Sequence, residues 1–398
     1  MSTPLGISPR EHAARREAFA ARLGELGLAG AVLFDTPHVQ YLSGAFLFPT
    51  ERPIALVLTA EGEPALLVPR LELEHAGAQT GLERVEHYVE YPGEERSEAL
   101  LARLLGELGV RGRIGADFDG YPWILGYRGP TLTELAGAEV ARVGGVLDDQ
   151  MALKSEAELR LIREGARWGD RAHRLLQQYT RVGAVETEVS LRASLEATVE
   201  MLDVLGTGYR SGSMFSEGAS AGYRGQIGRH AAIPHSHSGN LAFAAGDVLV
   251  TGAWAPMWGY HSELERTMVI GEASAAQRRL FEHMKAAQEV AFEAIRPGAR
   301  CADVDRAVTA YYEGHGLLPC WRHHTGHAIG LRYHEGPFLD AGDDTVIRAG
   351  MVFTVEPGLY DPEVGGFRHS DTVLVTEGGI ESITGGYPRD LDALTLPA

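Results

Sequence analysis

The chain has 398 residues, enough for two domains that each bury their own core. Its composition, 44% hydrophobic and 23% charged, excludes an intrinsically disordered chain and indicates a globular protein. The formal net charge of −18 opposes binding to nucleic acid or to an anionic membrane, because their phosphates would repel the protein, so neither is expected as a partner.

The first 150 residues alternate between helix-like and strand-like patterns. This alternation predicts a small α/β domain over residues 1–150. The predicted elements are a helix opened by a capping box at Ser8 and Glu11, buried strands at 31–34, 54–58 and 65–68 (the last two as a hairpin), a helix at 100–108 and a strand at 113–117.

A second domain is predicted over residues 151–398. Ser155 and Glu158 form another capping box, and the helix they open begins a region of longer helices and antiparallel-looking strands. Of the 16 histidines, 11 lie from His230 onward, so we expect the chemistry in this domain.

The two cysteines, Cys301 and Cys320, are expected as free thiols, with a disulfide between them as the alternative. The N-terminal segment lacks the apolar core of a signal peptide, and no run reaches the ~20 apolar residues of a membrane span. A cytoplasmic protein is therefore the expectation.

Residues 260–267 are predicted to form one strand. Alternation along a strand would place His261, Glu263 and Glu265 on the same face. Residues 206–228 are rich in glycine and serine and include Tyr223 and Arg224. We interpret this segment as a lid or specificity loop, with a plain surface connection as the alternative.

Four sequence blocks carry a family resemblance: residues 246–267, 323–335, 350–360 and 365–379. In this order and spacing they resemble the Xaa-Pro peptidase and creatinase superfamily. The resemblance implies a creatinase/prolidase-like N-terminal domain and a C-terminal catalytic domain of the pita-bread fold.

In the metallopeptidases of this superfamily, two aspartates, one histidine and two glutamates hold two divalent ions. His327 and Glu356 match this pattern, and Glu263 replaces one aspartate with a longer carboxylate. Gly252 and Ser370 stand where the other aspartate and glutamate are expected. Two dications ~3.5 Å apart repel by about 19 kcal/mol at an effective dielectric of ~20, and bridging carboxylates must offset this. The resemblance therefore implies an incomplete, degenerate dinuclear site.

No metal or other cofactor is expected on this interpretation. The alternative is a single divalent ion, Mn, Zn or Fe, held by Glu263, His327 and Glu356, since one histidine and two carboxylates suit these ions.

Other residues resemble creatinase, the metal-free member of the superfamily. Glu265 and Glu356 match the carboxylates that grip a guanidinium there, and His235 matches its general acid and base. Pairing of Glu265 with an arginine is the alternative. Arg52 resembles an arginine that creatinase inserts across a dimer to hold the substrate carboxylate. The resemblance thus implies a homodimer, with His235, His334 and Glu356 as catalytic residues and with Glu265, Glu263, His327, Arg52 and Arg368 as substrate-binding residues.

The predicted activity is metal-independent hydrolysis of a C–N bond in a small cationic or zwitterionic molecule other than creatine. Two alternatives stay open. One is a single-metal Xaa-Pro dipeptidase or aminopeptidase, and the other is a pseudoenzyme that binds a ligand without turnover.

Overall fold

The computed structural model describes residues 5–214 and 216–398, which form two compact units. One unit comprises Ile7–Met151, and the second comprises Ala152–Ala398 together with residues 5 and 6. Among the described residues, no helix is long and apolar enough to cross a membrane. The predicted α/β class is confirmed, while the division between residues 150 and 151 stays a prediction.

The first unit is built on a mixed six-stranded sheet. Its strands are β1 (Gly30–Leu33), β2 (Ala55–Thr59), β3 (Pro64–Pro69), β4 (Val85–Tyr88), β5 (Ile114–Ala116) and β6 (Val140–Arg142). Their order in the sheet is β4-β3-β2-β1-β5-β6. The predicted hairpin is present, because β2 and β3 pair antiparallel. Its helices are α1 (Pro9–Glu25), α2 (Thr36–Ser43), α3 (Leu73–Thr80), α4 (Ser97–Glu107), α5 (Leu132–Ala136) and α6 (Gly144–Ala152).

Four long helices belong to the second unit: α7 (Glu156–Tyr179), α8 (Glu186–Leu205), α9 (Ala275–Ala294) and α10 (Cys301–Gly314). Both halves of the predicted capping box are formed at α7, since Ser155 and Glu158 each bond the other's backbone. Helix α7 packs on α8, and α9 packs on α10. Cys301 is buried and Cys320 half-buried, and both are free.

The strands of the second unit are β7 (Ser220–Gly222), β8 (Val248–Val250), β9 (Gly252–Trp254), β10 (Leu264–Glu265), β11 (Thr267–Ile270), β12 (Gly326–Ala328), β13 (Glu335–Leu339), β14 (Val352–Val355), β15 (Gly358–Asp361), β16 (Gly365–Arg368), β17 (Ser370–Thr376), β18 (Gly379–Ser382) and β19 (Thr395–Leu396). Most of them form an antiparallel sheet in the order β13-β12-β14-β17-β10-β9-β7, with β18 beside β17. Helix α7 packs against β9. Smaller sheets join β19, β11 and β8, and join β15 to β16.

The prediction of one strand over residues 260–267 is wrong. Only Leu264–Glu265 and Thr267–Ile270 are strands, and these belong to different sheets. Arg266 separates them because its fully buried guanidinium turns to partners outside the ladder. Before Leu264, the Thr372 hydroxyl accepts from the amide of Glu263 at 2.8 Å and donates to its carbonyl at 2.9 Å, in place of ladder bonds.

Arg266 connects strand β10 to strand β17 and to the residues near the C-terminus. Its Nη2 donates to Oδ1 of Asp371 at 2.9 Å, and both side chains are fully buried. Nη1 donates to the carbonyls of Glu265 and Ser370, and Nε donates to that of Pro388. A buried guanidinium is tolerated only when its donors are satisfied, so this network ties β10 to β17 and to the C-terminal segment.

His173 on α7 lies beside this network and should make folding sensitive to acid. Its Nε2 lies 2.6 Å from the Thr251 hydroxyl. Burial, and then the charges of Arg266 and Arg174, lower its pKa to about 3. The unfolded chain, with a histidine pKa near 6.5, therefore takes up the proton first, and stability that is complete above pH ~6.5 is lost as the pH falls toward 3.

Replacing His173 with glutamine keeps a donor for Thr251 and removes this titration. Between pH ~7 and ~5.5 we expect the variant to lose about 1 kcal/mol less unfolding free energy than the wild type. Urea titrations followed by tryptophan fluorescence at both pH values measure this difference. His237→Gln, at an exposed position, is the matched control. Equal losses in His173→Gln and the wild type would contradict the expectation.

Candidate metal centre

Three side chains able to hold a metal ion converge in the second unit: Glu263, His327 and Glu356. One possible ligand atom from each lies within 4.8 Å of the others. Glu263 and His327 are buried, and the Glu356 side chain is 13% exposed. The three residues that the sequence assigns to a single ion are therefore close enough to share one.

Neighbouring strands bring these side chains together. His327 lies in β12, Glu356 directly follows β14, and Glu263 directly precedes β10. Strand β14 lies between β12 and β17, and β17 in turn pairs with β10. The three residues are far apart in sequence but side by side across one sheet.

His327 is oriented as a metal ligand would be. Its Nδ1 lies 2.9 Å from the carbonyl oxygen of Ala328, which can only accept, so Nδ1 carries the proton. Nε2 is buried and makes no well-formed hydrogen bond among the described residues, and it lies 3.2 Å from Oε1 of Glu356. A second ring nitrogen held by a backbone carbonyl is the usual support of a metal-bound histidine.

The charges in this cluster act on one another. Burial lowers the pKa of His327, but the nearby carboxylates of Glu356 and Glu263 more than offset this and raise it to about 9. Burial raises the pKa of Glu356, but His327, His323 and Arg368 hold it well below its usual range. Burial, and then the charges of Glu356 and Glu265, raise the pKa of Glu263 to about 7. The two carboxylates therefore favour a positive charge at the point that they share with His327.

A dinuclear site does not fit these residues. Gly252 in β9 has no side chain, and Ser370 at the start of β17 offers only a hydroxyl. That hydroxyl donates to Oε1 of Glu263 at 2.6 Å. A single divalent ion fits the residues that are present. Nε2 of His327 makes no well-formed hydrogen bond among the described residues, and the carboxylates of Glu263 and Glu356 lie close enough to share an ion with it.

Glu265 is engaged within the chain rather than open to a substrate cation. Arg368 holds both of its carboxylate oxygens, through Nε to Oε2 and through Nη2 to Oε1 at 2.9 Å. Nη2 of Arg224 also donates to Oε1. The structure favours the alternative in which Glu265 pairs with an arginine, because the bidentate pair satisfies each with the other and Glu265 is 2% exposed. Substrate binding by Glu265 and Arg368 stays a prediction.

Aromatic side chains lie beside the three candidate ligands. The ring of His334 stacks on that of His327, with centroids 3.9 Å apart. Tyr333 packs edge-on against Trp254 and against buried His261. Partial desolvation beside its neighbours, and then the charge of His327, lower the pKa of His334 to about 4. At neutral pH His334 is therefore an uncharged imidazole that keeps part of its surface open to solvent.

His235 lies in an exposed turn. The carbonyl of the preceding Pro234 accepts from Nη1 of Arg368 at 3.4 Å, which places this turn at the rim of the site. Arg52 belongs to the first unit, where it pairs with Glu51 and Glu90. The role predicted for Arg52 across a dimer stays a prediction.

The sequence prediction missed Tyr333 and Tyr360 and assigned no site role to Arg224. Tyr360 accepts from Nη1 of Arg368 at 2.9 Å, and its hydroxyl lies 2.8 Å from Nε2 of His323. Of these three residues, only Arg224 could have been identified from the sequence, because it is a basic residue within the predicted specificity loop.

Two family models match the chain. Residues 160–377 match metallopeptidase family M24, and residues 15–150 match the creatinase/prolidase N-terminal domain. Both matches agree with the predicted superfamily and with its pita-bread catalytic domain.

Relatives of known name cover nearly the whole chain. The probable dipeptidase PepE of Mycobacterium tuberculosis is 32% identical over 386 residues, which are 95% of this chain and 96% of that protein. The Xaa-Pro dipeptidase of Pyrococcus horikoshii is 29% identical over 357 residues, which cover 89% and 92% of the two chains. Among solved structures, dipeptidase PepE from Mycobacterium ulcerans superposes with a TM-score of 0.82 at 29% identity, covering 98% of this chain and all of that one.

Proposed function

Because the chain belongs to metallopeptidase family M24, we propose that it hydrolyses the C–N amide bond of dipeptides with one divalent ion held by Glu263, His327 and Glu356. The observation that carries this proposal is the buried Nε2 of His327, which lacks a well-formed hydrogen bond and faces two carboxylates. The names of the relatives support dipeptides as the substrate class. Mn, Zn and Fe are the ions that suit these donors.

When bound, such an ion would polarise the scissile carbonyl and lower the pKa of a water molecule. Among the chain's own residues, Glu356 stays ionised because its pKa is held low, and Glu263 supplies a second carboxylate at the same point. Uncharged His334 can donate a hydrogen bond to a substrate oxygen at the mouth of the site. Exposed His235 is positioned at the rim to exchange protons with solvent.

The metal-independent, creatinase-like reaction that the sequence predicted loses its main support at Glu265. That prediction needs a free carboxylate to bind a cationic substrate, whereas Arg368 and Arg224 already pair with Glu265. Removing a bidentate arginine from a buried carboxylate to admit a substrate would be costly. The other alternative is a pseudoenzyme that binds a ligand without turnover.

We also expect a homodimer, in which Arg52 of one protomer holds the substrate carboxylate in the site of its partner. A free C-terminal carboxylate on the dipeptide is the group that such an arginine would recognise.

Hydrolysis of dipeptides by the purified protein should depend on a divalent ion. With a panel that includes Ala-Pro, Met-Pro and dipeptides without proline, we expect EDTA to lower kcat/KM at least about 100-fold, because the lost ion contributes several kcal/mol to the transition state. Readdition of Mn²⁺ should restore the activity. Turnover that is indifferent to EDTA would favour the metal-independent reaction, and no turnover of any dipeptide would favour the pseudoenzyme.

A further inference from the structure

The space beside Gly252 is filled by an ion pair. A Cβ atom on Gly252 would lie 3.5 Å from Oε1 of Glu265 and 3.6 Å from both Cζ and Nη2 of Arg224. The missing carboxylate at position 252 has therefore not left an empty cavity. A guanidinium group stands in contact distance of that position.

The backbone holds Arg224 firmly in this place. Strand β7 pairs with β9 so that Gly222 lies opposite Gly252, and Arg224 follows in the next turn. Its φ of 53° is unusual for a residue with a side chain and persists only where the surroundings favour it. Besides Glu265, its Nη2 contacts Oε1 of Gln226 at 3.3 Å.

The charges around Glu265 disfavour a second metal ion. The two guanidinium groups of Arg224 and Arg368 both pair with this carboxylate, and Arg368 also faces Oε2 of Glu356 at 3.8 Å. A divalent ion near Gly252 would need the oxygens of Glu265 and would be repelled by both arginines. An arginine is charged at every accessible pH, so this repulsion cannot be removed by titration.

We propose that the guanidinium of Arg224 takes the place of a second metal ion, so that the site binds one divalent ion and keeps a permanent organic cation beside it. This inference rests on the single-ion site of the proposed function. It assigns a role to Arg224, which lies in the turn after β7, within the segment that the sequence predicted as a specificity loop.

Metal binding tests the inference without recourse to activity. The double variant Gly252→Asp/Ser370→Glu restores two carboxylates while Arg224 remains. A triple variant adds Arg224→Ala, and a matched triple variant adds Arg224→Lys, which keeps the charge. Mn²⁺ binding is measured by isothermal titration calorimetry, and bound ions per chain by mass spectrometry after desalting.

We expect one ion in the wild type, in the double variant and in the lysine variant, and two in the alanine variant. Two ions in the double variant would overturn the inference, as would an alanine variant that binds no more ions than the lysine variant. If the wild type binds no ion, the proposed function fails, and the comparison of the alanine and lysine variants still decides the role of Arg224.

A single substitution provides a second test in case the triple variants fail to fold. Arg224→Gln removes one positive charge near the cluster, so its Mn²⁺ affinity should rise at least about 10-fold over the wild type, whereas Arg224→Lys should change it by less than about 3-fold. Circular dichroism and thermal melting confirm the fold of each variant. Unchanged affinity in a folded Arg224→Gln variant would contradict the inference.

Discussion

Replacing His327 with alanine should lower kcat/KM for dipeptides by about 10³-fold. His327 supplies the one nitrogen among the three proposed ligands. Its Nε2 makes no well-formed hydrogen bond among the described residues and lies close to the carboxylates of Glu263 and Glu356. Losing it should remove most of the transition-state stabilisation that a bound ion gives, and ~4 kcal/mol corresponds to about 10³ in rate. Steady-state kinetics at saturating Mn²⁺ measure the loss.

Two controls accompany this variant. His315→Ala, at an exposed position of the same unit, should retain activity within about 2-fold. Circular dichroism and the melting temperature of His327→Ala separate a lost ligand from a lost fold. Activity of His327→Ala within about 10-fold of the wild type would contradict the role of His327 as a ligand.

Replacing Arg266 with methionine should be among the most destabilising single changes in the second unit. The variant removes the guanidinium that donates to the fully buried carboxylate of Asp371, and leaves only the longer contact of 3.8 Å with Arg389 as an ion pair. It also removes the donors to the carbonyls of Glu265, Ser370 and Pro388. Breaking one partner of a buried ion pair costs about 3–5 kcal/mol. Urea denaturation followed by circular dichroism measures the shift in midpoint.

Arg300→Met is the matched control, because it breaks an exposed pair. Arg300 and Asp344 are 57% and 69% exposed, and such pairs contribute at most about 1 kcal/mol. A denaturation midpoint of Arg266→Met as close to the wild type as that of Arg300→Met would show that the buried network does not stabilise the unit.

The ordered blocks of the sequence predicted the fold, and they pointed to three residues that lie close together, Glu263, His327 and Glu356. His327 and Glu356 stand within recognisable blocks, and the strands around them bring both to Glu263 as the resemblance implied. The small first domain could be predicted because its strands and hairpin are local patterns.

Long-range pairing could not be predicted in the same way. The partners of Glu265 lie 103 and 41 positions away in sequence, at Arg368 and Arg224, and no local pattern joins them. The break between β10 and β11 likewise follows from the distant partners of Arg266. The pattern at residues 260–267 indicated that His261, Glu263 and Glu265 lie near one another. It did not indicate that the backbone there forms two short strands in different sheets.

The number of divalent ions bound per chain tests the central claim most directly. The protein is saturated with Mn²⁺, desalted and measured by inductively coupled plasma mass spectrometry beside His327→Ala. The single-ion site predicts about one ion in the wild type and fewer than about 0.1 in the variant. Two ions in the wild type, or none, or an equal content in His327→Ala, would contradict it.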